Sequence, residues 1–142
     1  MAGVTATAVD NDPGVLATAD RSIGRWPARP KLLEHDIFAL SALDRAWDVV
    51  FSQGVMEHFD DDAIRRVCTE SLAVAPRLVF SVPSKFYGHR DFGNERLMTA
   101  AQWHAIVADL RAVEVVPYFY ARRRHTYALR RPIMLYVSLS RS

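Results

Sequence analysis

Apolar and polar residues alternate in short blocks along this chain, and the period changes from block to block. Val4–Val9 is rich in β-branched and small residues and ends at Asp10, the pattern of a strand. Asp12-Pro13 then offers an N-cap followed by a first-turn proline, which predicts a helix with Val15, Leu16 and Ala19 as its buried stripe. Gly24–Pro30 holds Gly and two Pro and reads as a loop. Lys31–His35 reads as a short strand ending at Asp36.

Trp47–Ser52 is the next strand. Val49-Val50-Phe51 lacks strict alternation, which predicts a strand covered on both faces, as in a parallel sheet. It empties into a polar corner, Ser52-Gln53-Gly54, and then Glu57-His58-Phe59. Asp60 caps the following helix, Asp61 and Asp62 favour its positive N-terminus, and Ile64, Val67, Cys68 and Leu72 repeat at helical spacing. Cys68 falls on that stripe and reads as core.

Leu78–Val82 is a further apolar strand, stopped by Pro83, and Ser84–Leu97 is a polar, aromatic loop with two Gly. Thr99 and Gln102 form a capping box for a helix with Trp103, Ile106, Val107 and Leu110 on its apolar face. Val113–Tyr120 and Pro132–Leu139 read as two strands joined by the basic segment Arg122–Arg131, most simply as an antiparallel hairpin. Strands alternating with helices predict an α/β fold with a mainly parallel sheet, in one domain over residues 1–142.

In open α/β sheets, ligands bind outside the carboxyl ends of the strands. Three predicted strand ends are polar here: Asp10, Asp36, and Ser52-Gln53-Gly54. A carboxylate at such a place has two oxygens matched to the diol of a ribose, and a second acid can accept from an exocyclic amine. Together they suit an adenosine-containing ligand. Each acid has a plainer reading as a turn former or helix cap.

The segments AVDNDP, EHDIF, WDVVFSQGVMEHF and LVFSVPS, in that order, resemble the class I S-adenosylmethionine-dependent methyltransferases, in the manner of a type 11-like domain. The stretch NERLMTAAQW and the closing hairpin are similar to that family's late helix and final antiparallel strands. The resemblance implies a Rossmann-like sheet and S-adenosylmethionine as cofactor. It implies that Asp10 holds the ribose hydroxyls, that Asn11 lies by the adenine, and that Asp36 reaches the adenine amine with Ile37 against the ring. Ser52, Gln53 and Gly54 would line the methionine end, and Glu57 and His58 would edge the reaction chamber.

One departure is large. The family's first strand, central in its sheet, and the glycine-rich loop after it have no counterpart, and no G-x-G-x-G occurs. Such a βα unit runs to roughly 30 residues. Its absence predicts unpaired inner edges on Val4–Val9 and Val49–Ser52, which then close on each other or invite a second copy or a companion chain.

Methyl transfer from a sulfonium is an in-line displacement of an already activated donor, so position and orientation dominate. A base is needed only where the acceptor must lose a proton. His58 is the candidate catalytic base, with a packing or capping role as the alternative. Tyr87, His89, Arg90 and Arg96 lie on the loop after a strand end and are substrate-side candidates, an arginine suiting an acidic group, with ordinary solvated loop charge as the plainer alternative.

Composition narrows the rest. Half of the 142 residues are hydrophobic, which excludes a disordered chain. The net charge of +2 is too small to suggest nucleic acid, so none is expected as a partner; the family resemblance implies a small-molecule acceptor. The basic cluster Arg122–Arg124 with Arg130-Arg131 reads as a solvated hairpin. One cysteine allows no internal disulfide, the N-terminal residues lack signal-peptide character, and no apolar run has membrane-span length, so a cytoplasmic location is expected. Five His and one Cys show no metal-ligand spacing, so no metal site is expected. Three functional classes stay open: an S-adenosylmethionine-dependent methyltransferase, a non-catalytic methyltransferase-like partner module, and a nicotinamide-dependent oxidoreductase, which GVMEHF speaks against.

Overall fold

The computed structural model describes residues 3–24, 29–110, 113–119 and 132–141. Strand β1 (Thr7–Asp10) leads into helix α1 (Pro13–Ile23), and β2 (Lys31–Glu34) follows. Asp12 caps α1 through Oδ1, which accepts from the backbone N–H groups of Gly14 and Val15. A 3-10 segment at Ile37–Ala42 leads to β3 (Val50–Gln53), a short 3-10 turn at Met56–His58, and α2 (Asp61–Val74). Then come β4 (Arg77–Pro83), α3 (Ala100–Ile106), β5 (Glu114–Tyr118) and β6 (Met134–Ser140).

The strands form two sheets. β1 pairs with β2 in parallel, Asp10 opposite Glu34. The larger sheet has the order β3-β4-β6-β5, with β3 parallel to β4 and both β6 contacts antiparallel. The α/β class and the closing antiparallel strands are therefore as expected. The segment Arg122–Arg131, expected to join the hairpin, lies outside the described residues. β1 and β3 are not paired with each other; each has a partner on one edge alone among the described residues.

The core sits where α2 and α3 cover the larger sheet. Ile64, Val67 and Cys68 of α2 meet Leu78, Phe80 and Val82 of β4, with Trp103, Ile106 and Val107 from the α3 side and Leu135, Val137 and Leu139 of β6. The rings of Phe80 and Trp103 lie 5.4 Å apart. Both predicted caps of these helices are present. Asp60 Oδ1 accepts from the N–H of Ala63, and Thr99 and Gln102 exchange the two bonds of a capping box. Burial pushes the Cys68 thiol up to about 12, which fits the packing role read from its spacing.

Two burial expectations are corrected. The α1 stripe is not buried: Leu16 and Ala19 are half-covered and Val15 is 49% exposed, because among the described residues α1 packs mainly on the two-stranded β1–β2 sheet. β3 is not covered on both faces: Phe51 is 60% exposed and Val49 47%. Its parallel partner lies on one side only, so its apolar run reflects a strand with an open edge rather than an interior strand.

These contrasts set the energetic expectation. Trp103→Ala should cost about 3–5 kcal/mol of unfolding free energy by urea titration, as for a fully buried large side chain. Val15→Ala should stay within about 0.5 kcal/mol of the parent.

Candidate cofactor cavity and its polar rim

One cavity of about 570 Å³ is lined by β1 and β3, the two strands expected to have unpaired inner edges. All of β1, Thr7 to Asp10, lines it, as do Val49 to Ser52. Asn11, Asp36, Ile37, Phe38, Met56 and Phe59 also contribute. Five predicted cofactor residues, Asp10, Asn11, Asp36, Ile37 and Ser52, thus share one cavity. Gln53 and Gly54 close the end of β3 just beyond it.

The two acids do have the plainer roles weighed for them. Asp10 Oδ1 accepts from the N–H of Asp12 at 2.9 Å, and Asp36 Oδ1 accepts from the N–H of Phe38 at 2.9 Å. Each bond engages one carboxylate oxygen and fixes the side chain's direction. The second oxygen of each has no partner among the described residues. Turn formation and ligand binding are therefore compatible at both positions. Ser52 Oγ is buried without a hydrogen-bond partner, and a buried hydroxyl left so is costly unless something else satisfies it. Gly54 has φ +69°, a left-handed turn that glycine adopts without strain, and its N–H donates to the carbonyl of Ser81.

Beyond the cavity the chain forms a second polar group. Glu57 and Glu95 are both buried, and each has an Oε2 without a partner among the described residues. Burial pushes the Glu57 carboxyl above the usual range; its own backbone N–H and His58 oppose this, and Glu95 adds to it. Burial also acts upward on Glu95, but backbone N–H groups of Phe92, Glu95 and Gly93 outweigh it and hold that carboxyl low. Phe92 N–H donates to Glu95 Oε1 at 2.6 Å. His58 is half-buried, with Nδ1 2.8 Å from Asn94 Oδ1.

The substrate-side candidates separate. Arg96 is committed to the fold: its guanidinium donates to the carbonyl of Phe59 at 2.7 Å and to Asp61 at 2.6 Å, and its N–H donates to the carbonyl of Glu57. The arginine expected to await an acidic group thus fastens the loop to the start of α2. Tyr87 and His89 both contact Asp91, the histidine at 2.7 Å. Arg90 is exposed. Asn94 and Glu95 were missed by sequence reasoning. Asn94 meets a residue 36 positions away, and Glu95 is buried near Glu57; no local pattern carries that information.

A family profile described as "Methyltransferase domain" matches residues 1–75, just over half of the chain. The chain belongs to the methyltransferase-domain family. No curated protein matches it. Among solved structures, the methyltransferase domain of bacterial CtHen1-CN is similar over 96% of this chain and 78% of its own, at 17% identity and TM-score 0.68. The small RNA methyltransferase HEN1 is similar over 97% of this chain but 20% of its own, at 17% identity and TM-score 0.73. Magnesium protoporphyrin IX methyltransferase from Synechocystis PCC 6803, solved with bound SAM, covers 99% of this chain and 61% of its own, at 16% identity and TM-score 0.60. At these identities the likeness shows the fold; together with the family match it bears out the resemblance to class I methyltransferases.

One expectation is corrected by these findings. The low net charge argued against nucleic acid, yet a small RNA methyltransferase is among the similar structures. A whole-chain charge of +2 averages over the surface and does not report whether basic groups gather at one acceptor mouth. Among the described residues no three His, Cys, Asp or Glu are grouped to hold a metal, and no helix is long and apolar enough to cross a membrane.

The Glu57 environment has a measurable consequence. Its folded-state value lies above the unfolded one, so its stabilising contribution is complete below the unfolded value and is lost as pH rises through the folded value. Glu57→Gln removes that loss. Its unfolding free energy relative to the parent should therefore increase from about pH 4 to about pH 8, read from urea titrations at both.

Proposed function

We propose that this domain performs S-adenosylmethionine-dependent methyl transfer, with the adenosine end of the cofactor in the cavity lined by β1 and β3. The observation that carries this reading is the gathering of Asp10, Asp36 and the unpartnered Ser52 hydroxyl in one cavity of a methyltransferase-family chain.

The roles follow from what each group has left to give. Asp10 uses Oδ2 for the ribose hydroxyls while Oδ1 stays on the turn, and Asn11 lies beside the adenine. Asp36 accepts from the adenine amine, and Ile37 with Phe38 supplies apolar surface to the ring. Ser52 donates through its free hydroxyl, and Gln53 and Gly54 present backbone groups at the corner. When bound, the cofactor supplies a sulfonium-activated methyl group. The chain's own work is to hold donor and acceptor in line and to exclude water; such positioning reaches about 7–11 kcal/mol in favourable cases. His58 takes the proton of an acceptor that must lose one, with Glu57 beside it. Tyr87, His89 and Arg90 stand on the loop that receives the acceptor.

Calorimetric titration with S-adenosylmethionine tests the reading. Saturable binding is expected, and Asp10→Asn should weaken it about tenfold or more, the worth of a lost charge-assisted hydrogen bond. A folded parent that gives no binding heat would return the domain to the non-catalytic class. Methyl transfer from labelled cofactor to small RNA and to small hydroxyl or amine acceptors then distinguishes the acceptor classes.

A further inference from the structure

We propose that Asn94 is a positioning residue that fixes the tautomer and direction of the His58 imidazole; this rests on the reading of His58 as the acceptor's base. The two residues are 36 positions apart, and Nδ1 of His58 meets Oδ1 of Asn94 at 2.8 Å. An amide oxygen only accepts, so the ring must donate from Nδ1–H. In the neutral ring the lone pair then sits on Nε2, which has no partner among the described residues. That is the arrangement a general base requires: one nitrogen held, the other open.

The rest of the loop is built to keep the pair in register. On one side, the N–H of His58 donates to the carbonyl of Val55, closing the 3-10 turn after β3. On the other, Asn94 precedes Glu95 and Arg96, which are both anchored. Glu95 is buried and accepts from the N–H of Phe92, while Arg96 donates to the carbonyls of Glu57 and Phe59 and to Asp61. The ring of Phe92 stands edge-on to His58, with centroids 5.8 Å apart. The imidazole is thus bounded by loop 92–96 and by its own turn.

A stability role does not account for the contact. Asn94 is exposed, and an exposed side-chain hydrogen bond adds little to folding. The charged groups facing the ring are Glu57 from its own turn and Glu95 from the loop; the guanidinium of Arg96 is turned to Asp61. Neither carboxylate bonds an imidazole nitrogen among the described residues, so the neutral amide alone sets the tautomer.

Nitrogen-15 spectra of the imidazoles read this directly, with or without turnover. The parent is expected to show His58 protonated at Nδ1 in its neutral form, and Asn94→Ala to show a tautomer mixture with unchanged urea stability. In the transfer assay Asn94→Ala should lower kcat about tenfold to a hundredfold with KM and cofactor binding preserved. Asn94→Asp should restore most of kcat and move the acidic limb of the pH profile upward, because an added carboxylate favours the imidazolium. A His58 tautomer indifferent to Asn94→Ala would overturn the proposal. So would an Asn94→Asp profile whose acidic limb stays in place. If the parent transfers no methyl group at all, the reading of function fails, and the spectra still decide the Asn94–His58 pairing.

Discussion

Strand β4 is the constraint on which this structure depends. It is the one strand of the larger sheet that joins a parallel neighbour, β3, to an antiparallel one, β6. Every residue from Leu78 to Pro83 is buried, so neither face tolerates an unpaired backbone or a charge. α2 and α3 cover it through Ile64, Cys68 and Trp103, and that packing fixes where the end of β3 emerges. The N–H of Gly54 bonds the carbonyl of Ser81 on β4, so the polar corner is tied to the core directly.

The site is divided between this rigid half and a lighter one. Ser52 and the 56–58 turn ride on the core sheet, whereas Asp10 and Asp36 ride on the β1–β2 unit and the segment after it. The 37–42 segment is the link: the N–H of Ser41 donates to Glu70 of α2, and Arg66 donates to the carbonyl of Phe38. Edge-on contact between Phe38 and Phe59 adds an apolar tie across the same seam. Asp10 and Asp36 on one side and Ser52 on the other are in this way carried by separate supports that meet at one cavity.

The acidic pair beyond the cavity shows how environment assigns different characters to identical groups. Glu57 lies under the Gly54 turn and is pushed toward its neutral form, while Glu95 sits among backbone N–H groups that keep it charged. Arg96, bonded to Asp61 and to the carbonyls of Glu57 and Phe59, holds this arrangement in place.

The sequence by itself determined what is local. The caps at Asp12, Asp60 and Thr99 depend on bonds spanning two or three residues, and all three are formed as their spacing dictates. The helical stripe through Cys68, the strand end at Asp10, and the family likeness in DVVFSQGVMEHF were likewise readable, because each is a pattern within one segment. Only the tertiary structure decided what depends on distant neighbours. Val49 and Phe51 have an interior strand's composition but an open strand's exposure, since coverage is set by what packs alongside and not by the residues themselves. The same holds for Asn94 on His58 and Arg96 on Asp61: a loop's contacts are fixed by where the sheet returns it, and no period in the chain records that.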